Sequence, residues 1–277
     1  MRRFAVLTAA VTLALILAGG FVTTTRTGDT IPSWPRSWGR MELGWPVEWT
    51  HRAFAGTVAI LTAVLAFWVQ RRESRPRVRL LAWIAFSAVL LQACLGGLRV
   101  HQYYPKAVAI VHATLAQVVF STLVCLALFL SEVWASVRTD EAAAGAAGLG
   151  TATTLFAFLQ LIAGAVTRHT GAGLVVHLVG AGLVLLHVSL FASKLMMTPL
   201  RKGANVLLAI LGLQVALGIG TWAITAGGFE RSRQAPLLQI VTVSAHVAVG
   251  AALLATSLAL TLMCRRARTP VPEVALA

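Results

Sequence analysis

The 277 residues are 58% hydrophobic and 12% charged, with a mean hydropathy of +0.81. A soluble domain carries about 25% charged residues, so a water-soluble globular enzyme is excluded. The net charge of +14 does not point to nucleic acid. The basic residues lie in short segments between apolar blocks, where the cytoplasmic bias of Lys and Arg accounts for them.

Those blocks predict eight spans, over about 4–23, 50–70, 80–99, 107–130, 143–167, 172–193, 204–226 and 239–263. Each approaches or exceeds the roughly 20 residues a helix needs to cross a bilayer. The runs are continuous rather than alternating, so helices rather than a β-barrel satisfy the backbone in lipid. The first span follows Arg2-Arg3. Its apolar run is too long for a signal-peptide core and has no clear cleavage site, so it reads as a retained helix. The segment 71–79 holds Arg71, Arg72, Arg75, Arg77 and Arg79, and the C-terminal tail is basic too. Most of the 23 Lys and Arg therefore fall inside if both termini are cytoplasmic, although the 131–142 segment is net acidic. The longest outer loops are then 24–49, with Trp34, Trp38, Trp45, Trp49, Pro32, Pro35 and Pro46, and 227–238. Such tryptophans are expected at an interface. Cys94, Cys125 and Cys264 have no metal-ligand spacing and read as small packing residues.

The two sets of four spans resemble each other. Gln92-Ala93-Cys94-Leu95-Gly96 of span 3 has a counterpart in Gln214-Val215-Ala216-Leu217-Gly218 of span 7. The exit Thr25-Arg26-Thr27-Gly28 of span 1 is matched by Arg168-His169-Thr170-Gly171 of span 5. An even number of spans per repeat keeps both copies in one orientation. The expected fold is an all-α polytopic membrane protein of eight transmembrane helices. They form two pseudo-symmetric four-helix bundles, an N-terminal half over 1–138 and a C-terminal half over 139–277.

The histidines follow the repeat. His51, His112, His177 and His246 each lie near the start of an even-numbered span. All four fall at similar depth in the outer leaflet. One such histidine is ordinarily a packing residue; four at one depth indicate ligation. The repeat divides them into two pairs, His51 with His112 and His177 with His246. Facing imidazoles in a helix bundle are a standard means of holding haem. His187 lies deeper on span 6, breaks the common depth and is assigned to packing. His101 and His169 are assigned to solvated outer loops. Only the first entrance has a carboxylate beside its histidine, in Glu48-Trp49-Thr50-His51-Arg52. An ionisable cluster at a membrane edge marks a functional site. The i, i+3 spacing puts Glu48 and His51 on nearly one helix face. Arg52 is expected to pair with Glu48 or with a propionate.

The Glu-x-x-His-Arg motif, the four even-span histidines, Thr27-Gly28 followed by Trp34-Pro35, and Thr170-Gly171-Ala172-Gly173 together resemble the haem A synthase family across nearly the whole chain. The resemblance implies an oxidoreductase that converts a methyl group of haem O to a formyl group by successive hydroxylations with loss of water. It implies that His177 and His246 bind haem b, that His51 and His112 frame the substrate haem O, and that Glu48 is the acidic residue of the chemistry. The implied setting is a bacterial plasma membrane, with the haem sites toward the outer leaflet. The implied partners are haem O synthase, a membrane electron donor such as a quinol, lipid, and a second copy of the chain in a homo-oligomer. The chain departs from the family pattern in three ways. It has no cysteine pair in the first outer loop, Ser33 stands before Trp34-Pro35 in place of Asp, and Leu178 follows His177 in place of Arg. Two competing readings are a di-haem b-type electron-transfer cytochrome and a proton-relaying transporter. The scarcity of mid-membrane Asp, Glu and Lys argues against the transporter.

Overall fold

A computed structural model of the chain describes residues 1–28, 31, 45–98, 106–225 and 235–268. Among them every regular element is helical: α1 (Arg2–Thr24), α2 (Trp45–Arg72), α3 (Pro76–Leu98), α4 (Lys106–Phe129), α5 (Glu132–Ala135), α6 (Glu141–Gly145), α7 (Ala147–Thr170), α8 (Leu174–Leu195), α9 (Arg201–Thr225) and α10 (Leu237–Arg266). Eight are long and apolar enough to cross a membrane. The chain is a multi-pass membrane protein, as its hydropathy predicts. Most helices run past the expected ends, α2 by one turn at Trp45 and α10 to Arg266. Interfacial Trp and Arg extend a helix at no cost in unsatisfied backbone. Trp34, Trp38, Pro32, Pro35, Ser33 and His101, on which several expectations rest, lie outside the described residues.

The connections follow from local chemistry. Pro76 opens α3, where its missing N–H goes unneeded. The acidic 131–142 segment is not a plain loop. Ser131 and Asp140 cap the short helices α5 and α6, accepting from Trp134 N and Ala143 N. Between α7 and α8 the chain reverses within Gly171-Ala172-Gly173. Both glycines sit at positive φ, 78° and 84°, where a side chain would be strained. On the opposite face of the bundle Glu73 receives two guanidinium hydrogen bonds from Arg75, which also donates to Phe129 O. That guanidinium holds the Glu73 carboxyl down at about 2.

Helices α1 to α4 close one ring, each packing on its neighbours, and α7 to α10 close a second. The rings share a wall in which α10 packs on both α1 and α4, and α4 also meets α7. Ala248, Ala251 and Ala255 of α10 belong to the core formed by α1–α4, while Leu253, Leu260 and Cys264 belong to the core of the second half. Contact across this wall is very close. A Cβ on Gly20 would stand 2.7 Å from Ser244 Cβ and 3.0 Å from its Cα. Arg168 of α7 spans the same seam, donating to Gly20 O at 2.8 Å and to Thr24 Oγ1 at 2.9 Å. Buried hydroxyls such as Thr8, Thr12 and Thr62 are satisfied within their own helices by carbonyls four residues back. The outer faces carry Ile60, Val175, Val179 and Ile219 to lipid. Cys125 and Cys264 are buried as expected; Cys94 is exposed, and all three are free.

Gly20→Val should force α1 from α10 against backbone, at an overpacking cost of about 1–3 kcal/mol. Gly56, with open space around its would-be Cβ, is the control. Gly56→Ala should be neutral or stabilise by up to about 1 kcal/mol. Thermal unfolding in detergent should separate the two variants by several degrees, and equal midpoints would refute the close seam.

Candidate functional site

The four histidines all lie at the end of the bundle where α2, α4, α8 and α10 begin. Helices are tightly filled there, and an imidazole needs room. Each ring is seated against a glycine on the preceding helix. A Cβ on Gly19 would stand 3.0 Å from His51 Cε1, one on Gly96 3.3 Å from His112 Cε1, one on Gly164 3.1 Å from His177 Cε1, and one on Gly218 3.1 Å from His246 Cε1. Any side chain at these four glycines would push the ring from its place. The seats are α1 for α2, α3 for α4, α7 for α8, and α9 for α10.

A carboxamide accompanies three of the four seats. Gln92, four residues before Gly96, donates from Nε2 to His112 O at 2.8 Å. Gln160, four before Gly164, donates to His177 O at 2.8 Å, and its Nε2 lies 3.0 Å from His177 Nδ1. Gln214, four before Gly218, has its Nε2 3.1 Å from where a Cβ of Gly250 would stand, one turn past His246. The i, i+4 spacing aligns each glutamine with its glycine on one helix face. Sequence reasoning matched Gln92 and Gln214 as a repeat but missed Gln160 and all four seats. The signal that would have found Gln160 and three of the seats is Gln-x-x-x-Gly, present at 92–96, 160–164 and 214–218; Gly19, with Leu15 four residues before it, carries no such signal.

The C-terminal pair faces itself directly. The rings of His177 and His246 are 6.4 Å apart, centre to centre, and cross at 84°. Two imidazoles on opposite sides of one iron, each bonded at about 2 Å, place their centres roughly 6 Å apart. This separation, with a glycine seat behind each ring, fits two histidines holding one haem between them. Among the described residues no three His, Cys, Asp or Glu converge to hold a bare metal ion. Of the two expected pairs, His177 with His246 is the one whose rings lie in contact among the described residues. His51 and His112 stand on α2 and α4, each of which flanks both α1 and α3, just as α8 and α10 flank α7 and α9.

Glu48 and Arg52 occupy the first turns of α2. Glu48 is 3% exposed. Its Oε1 accepts from Arg52 Nη2 at 2.6 Å and its Oε2 from the backbone N–H of Ile31 at 2.9 Å. Arg52 Nη2 also donates to Ile31 O at 3.1 Å. The ion pair thus grips both backbone polar groups of one residue, Ile31, whose side chain is fully buried. Arg52 pairs with Glu48, one of its two expected partners.

Two other histidines are placed by the structure. His187 hydrogen-bonds Leu183 O at 2.8 Å and packs 4.3 Å from Phe156, within the second half and away from the pair. His169 is not in a solvated loop. Helix α7 runs on to Thr170, so His169 lies in its last turn and is buried, beside the seam residue Arg168.

Residues 43–181 match the family model described as cytochrome oxidase assembly protein. This stretch holds Glu48, His51, His112 and His177. Among curated proteins, the chain is 30% identical over 257 residues to haem A synthase of Symbiobacterium thermophilum, covering 79% of this chain and 84% of that protein. It is 25% identical over 269 residues to haem A synthase of an Exiguobacterium species, covering 86% of each. It is 27% identical over 184 residues to haem A synthase of Lysinibacillus sphaericus, covering 63% of this chain and 60% of that protein. With half the chain matched by the family model and a relative 30% identical over most of both chains, the chain belongs to the haem A synthase family of cytochrome oxidase assembly proteins.

Proposed function

We propose that the protein is an oxidoreductase of haem A biosynthesis. It oxidises one methyl group of haem O to a formyl group, through two hydroxylations and loss of water. The observation that carries this reading is the chemical inequality of two similarly built histidine pairs. His177 and His246 face each other at 6.4 Å with no acidic residue beside them in sequence, which suits a resident haem b. His51 and His112 share the same kind of glycine seat, but Glu48 lies one turn before His51.

A haem b held by His177 and His246 supplies one-electron redox chemistry. The remaining roles fall to the chain. His51 and His112 orient the substrate haem. Glu48 holds or delivers a proton at its carboxylate, and the loss of water from the hydroxylated methyl needs such a transfer. Arg52 fixes the rotamer of Glu48 through Oε1, and the Ile31 peptide fixes Oε2. Low exposure keeps bulk water from this carboxylate. Apolar walls keep a hydrophobic macrocycle inside the bundle. The substrate half corresponds to 1–138 and the haem b half to 139–277. Both termini are cytoplasmic, because Arg2, Arg3, Arg71, Arg72, Arg265 and Arg266 gather at the end away from the histidines. The histidine end then lies toward the outer leaflet. Each hydroxylation balances with dioxygen as the oxidant: one oxygen atom enters the C–H bond, and the other leaves as water with two protons and two electrons from a membrane donor of the quinol class; haem O comes from its synthase.

Co-expression with a source of haem O, followed by mass measurement of the extracted pigments, should yield haem A or its hydroxylated precursor. Unchanged haem O beside a full complement of haem b would sink the proposal in favour of an electron-transfer cytochrome. Glu48→Gln should lower conversion by about 10²-fold or more, in the range of general acid–base contributions, while the haem b spectrum persists. Gly218→Val, which fills the seat behind His246, should lose low-spin haem b as completely as His246→Ala. An unaltered spectrum in either variant would disprove the pairing.

A further inference from the structure

His187 belongs to neither histidine pair. It stands on α8 ten residues beyond His177, roughly 15 Å deeper along the helix axis, well inside the apolar span Leu174–Leu195. Its Nδ1 lies 2.8 Å from Leu183 O. A carbonyl oxygen only accepts, so Nδ1 carries the proton, and Nε2 of the neutral ring is an acceptor. Nε2 makes no hydrogen bond among the described residues. The hydroxyl of Thr153 on α7 is committed to two backbone carbonyls, Leu149 O and His187 O. The ring is half-buried. It packs on Phe156 of α7, with ring centres 4.3 Å apart and planes at 42°. Leu183 and Leu190, its neighbours on the same face of α8, are exposed to lipid. His187 therefore stands at the border between the α7–α8 contact and the bilayer.

An acceptor in hydrocarbon without a donor is costly, and an ionisable side chain at this depth marks a functional site by default. Acyl chains have no donor, and phospholipid headgroups stay at the interface. A hydroquinone dissolves in the bilayer interior, carries O–H donors and has a ring that can lie against Phe156. We propose that His187 and Phe156 form the binding site of the reducing hydroquinone, with one of its O–H groups donated to His187 Nε2. The inference rests on the reading of a quinol-class donor and of haem b at His177 and His246. Hydroquinone becomes quinone by losing two electrons and two protons from its two O–H bonds. The electrons pass one at a time to haem b, held by His177 nearer the start of the same helix. Both protons end in water, the first by way of Nε2. One hydroquinone thus covers the two electrons of one hydroxylation.

The experiment uses full-length protein with its haem b in detergent, mixed without air with decyl-substituted benzohydroquinone or naphthohydroquinone. Absorbance follows haem b reduction. His187→Leu should slow it by about 10²-fold or more, the scale of a lost proton acceptor, while dithionite still gives the full reduced spectrum. His187→Gln keeps an acceptor but takes up no proton, so it should hold the wild-type half-saturating concentration and lose limiting rate. Phe156→Ala should do the reverse, raising the half-saturating concentration by about 2- to 10-fold, the scale of one aromatic contact. A photoreactive azidoquinone should label the peptide carrying Phe156 or His187, and excess hydroquinone should suppress that label. Equal reduction rates in wild type and His187→Leu, or labelling confined to other helices, would overturn the site and leave the quinol donor standing. Wild-type haem b that dithionite reduces but neither hydroquinone does would overturn the quinol reading itself, and this site with it.

Discussion

A bundle of apolar helices leaves no space for an imidazole unless one helix gives up its side chain opposite the ring. Everything at the functional end depends on that constraint. Gly19, Gly96, Gly164 and Gly218 are each within van der Waals contact of a histidine ring through a Cβ they do not have. Glycine in a helix interior costs about 0.5–1 kcal/mol relative to alanine. Four such positions at one end of a small membrane bundle are a real thermodynamic burden, and the function of the rings is what justifies it. The seats also fix which helix positions which ligand, so the geometry of each pair is set by antiparallel neighbours joined in sequence.

The two rings of helices are not independent bodies. Gly20 abuts the Ser244 backbone, and Arg168 is committed to α1 although it belongs to α7. Gly19 and Gly20 are adjacent in the chain. One seats His51, and the other touches α10 two residues before His246. The seam therefore lies directly between the two histidine pairs. A displacement of α1 would disturb both, which ties the integrity of one site to the packing of the other.

Much of this was legible in the residues. Continuous apolar blocks fixed the number of spans because a membrane leaves the backbone few alternatives. His51, His112, His177 and His246 stood out because a polar ring in such a block is rare. Glu48 stood out because a carboxylate is rarer still. The glycine seats were not legible. Small residues are common wherever membrane helices pack, so Gly164 looks like any other until the ring behind it is seen. Gln160 escaped because the repeat was aligned on Gln92 and Gln214, and span 5 was matched to span 1, where Leu15 breaks the pattern. His169 was misplaced because helix ends cannot be fixed from hydropathy: Arg168 and His169 look like loop residues, yet α7 continues to a left-handed glycine at 171. The grip of Glu48 and Arg52 on Ile31 joins positions 17 and 21 residues apart in sequence, which no local pattern encodes.

The sharing of α10 between the two cores has a consequence for biogenesis. Ala248, Ala251 and Ala255 complete the packing of α1–α4, yet they lie in α10, which is synthesised after all of α1–α9. Domains ordinarily fold in the order in which they are synthesised. Here α1–α4 enter the bilayer with one wall of their core still missing, and they acquire it only after α7, α8 and α9 have followed them. The part of the molecule assigned to substrate haem is thereby kept unfinished until the part assigned to haem b exists.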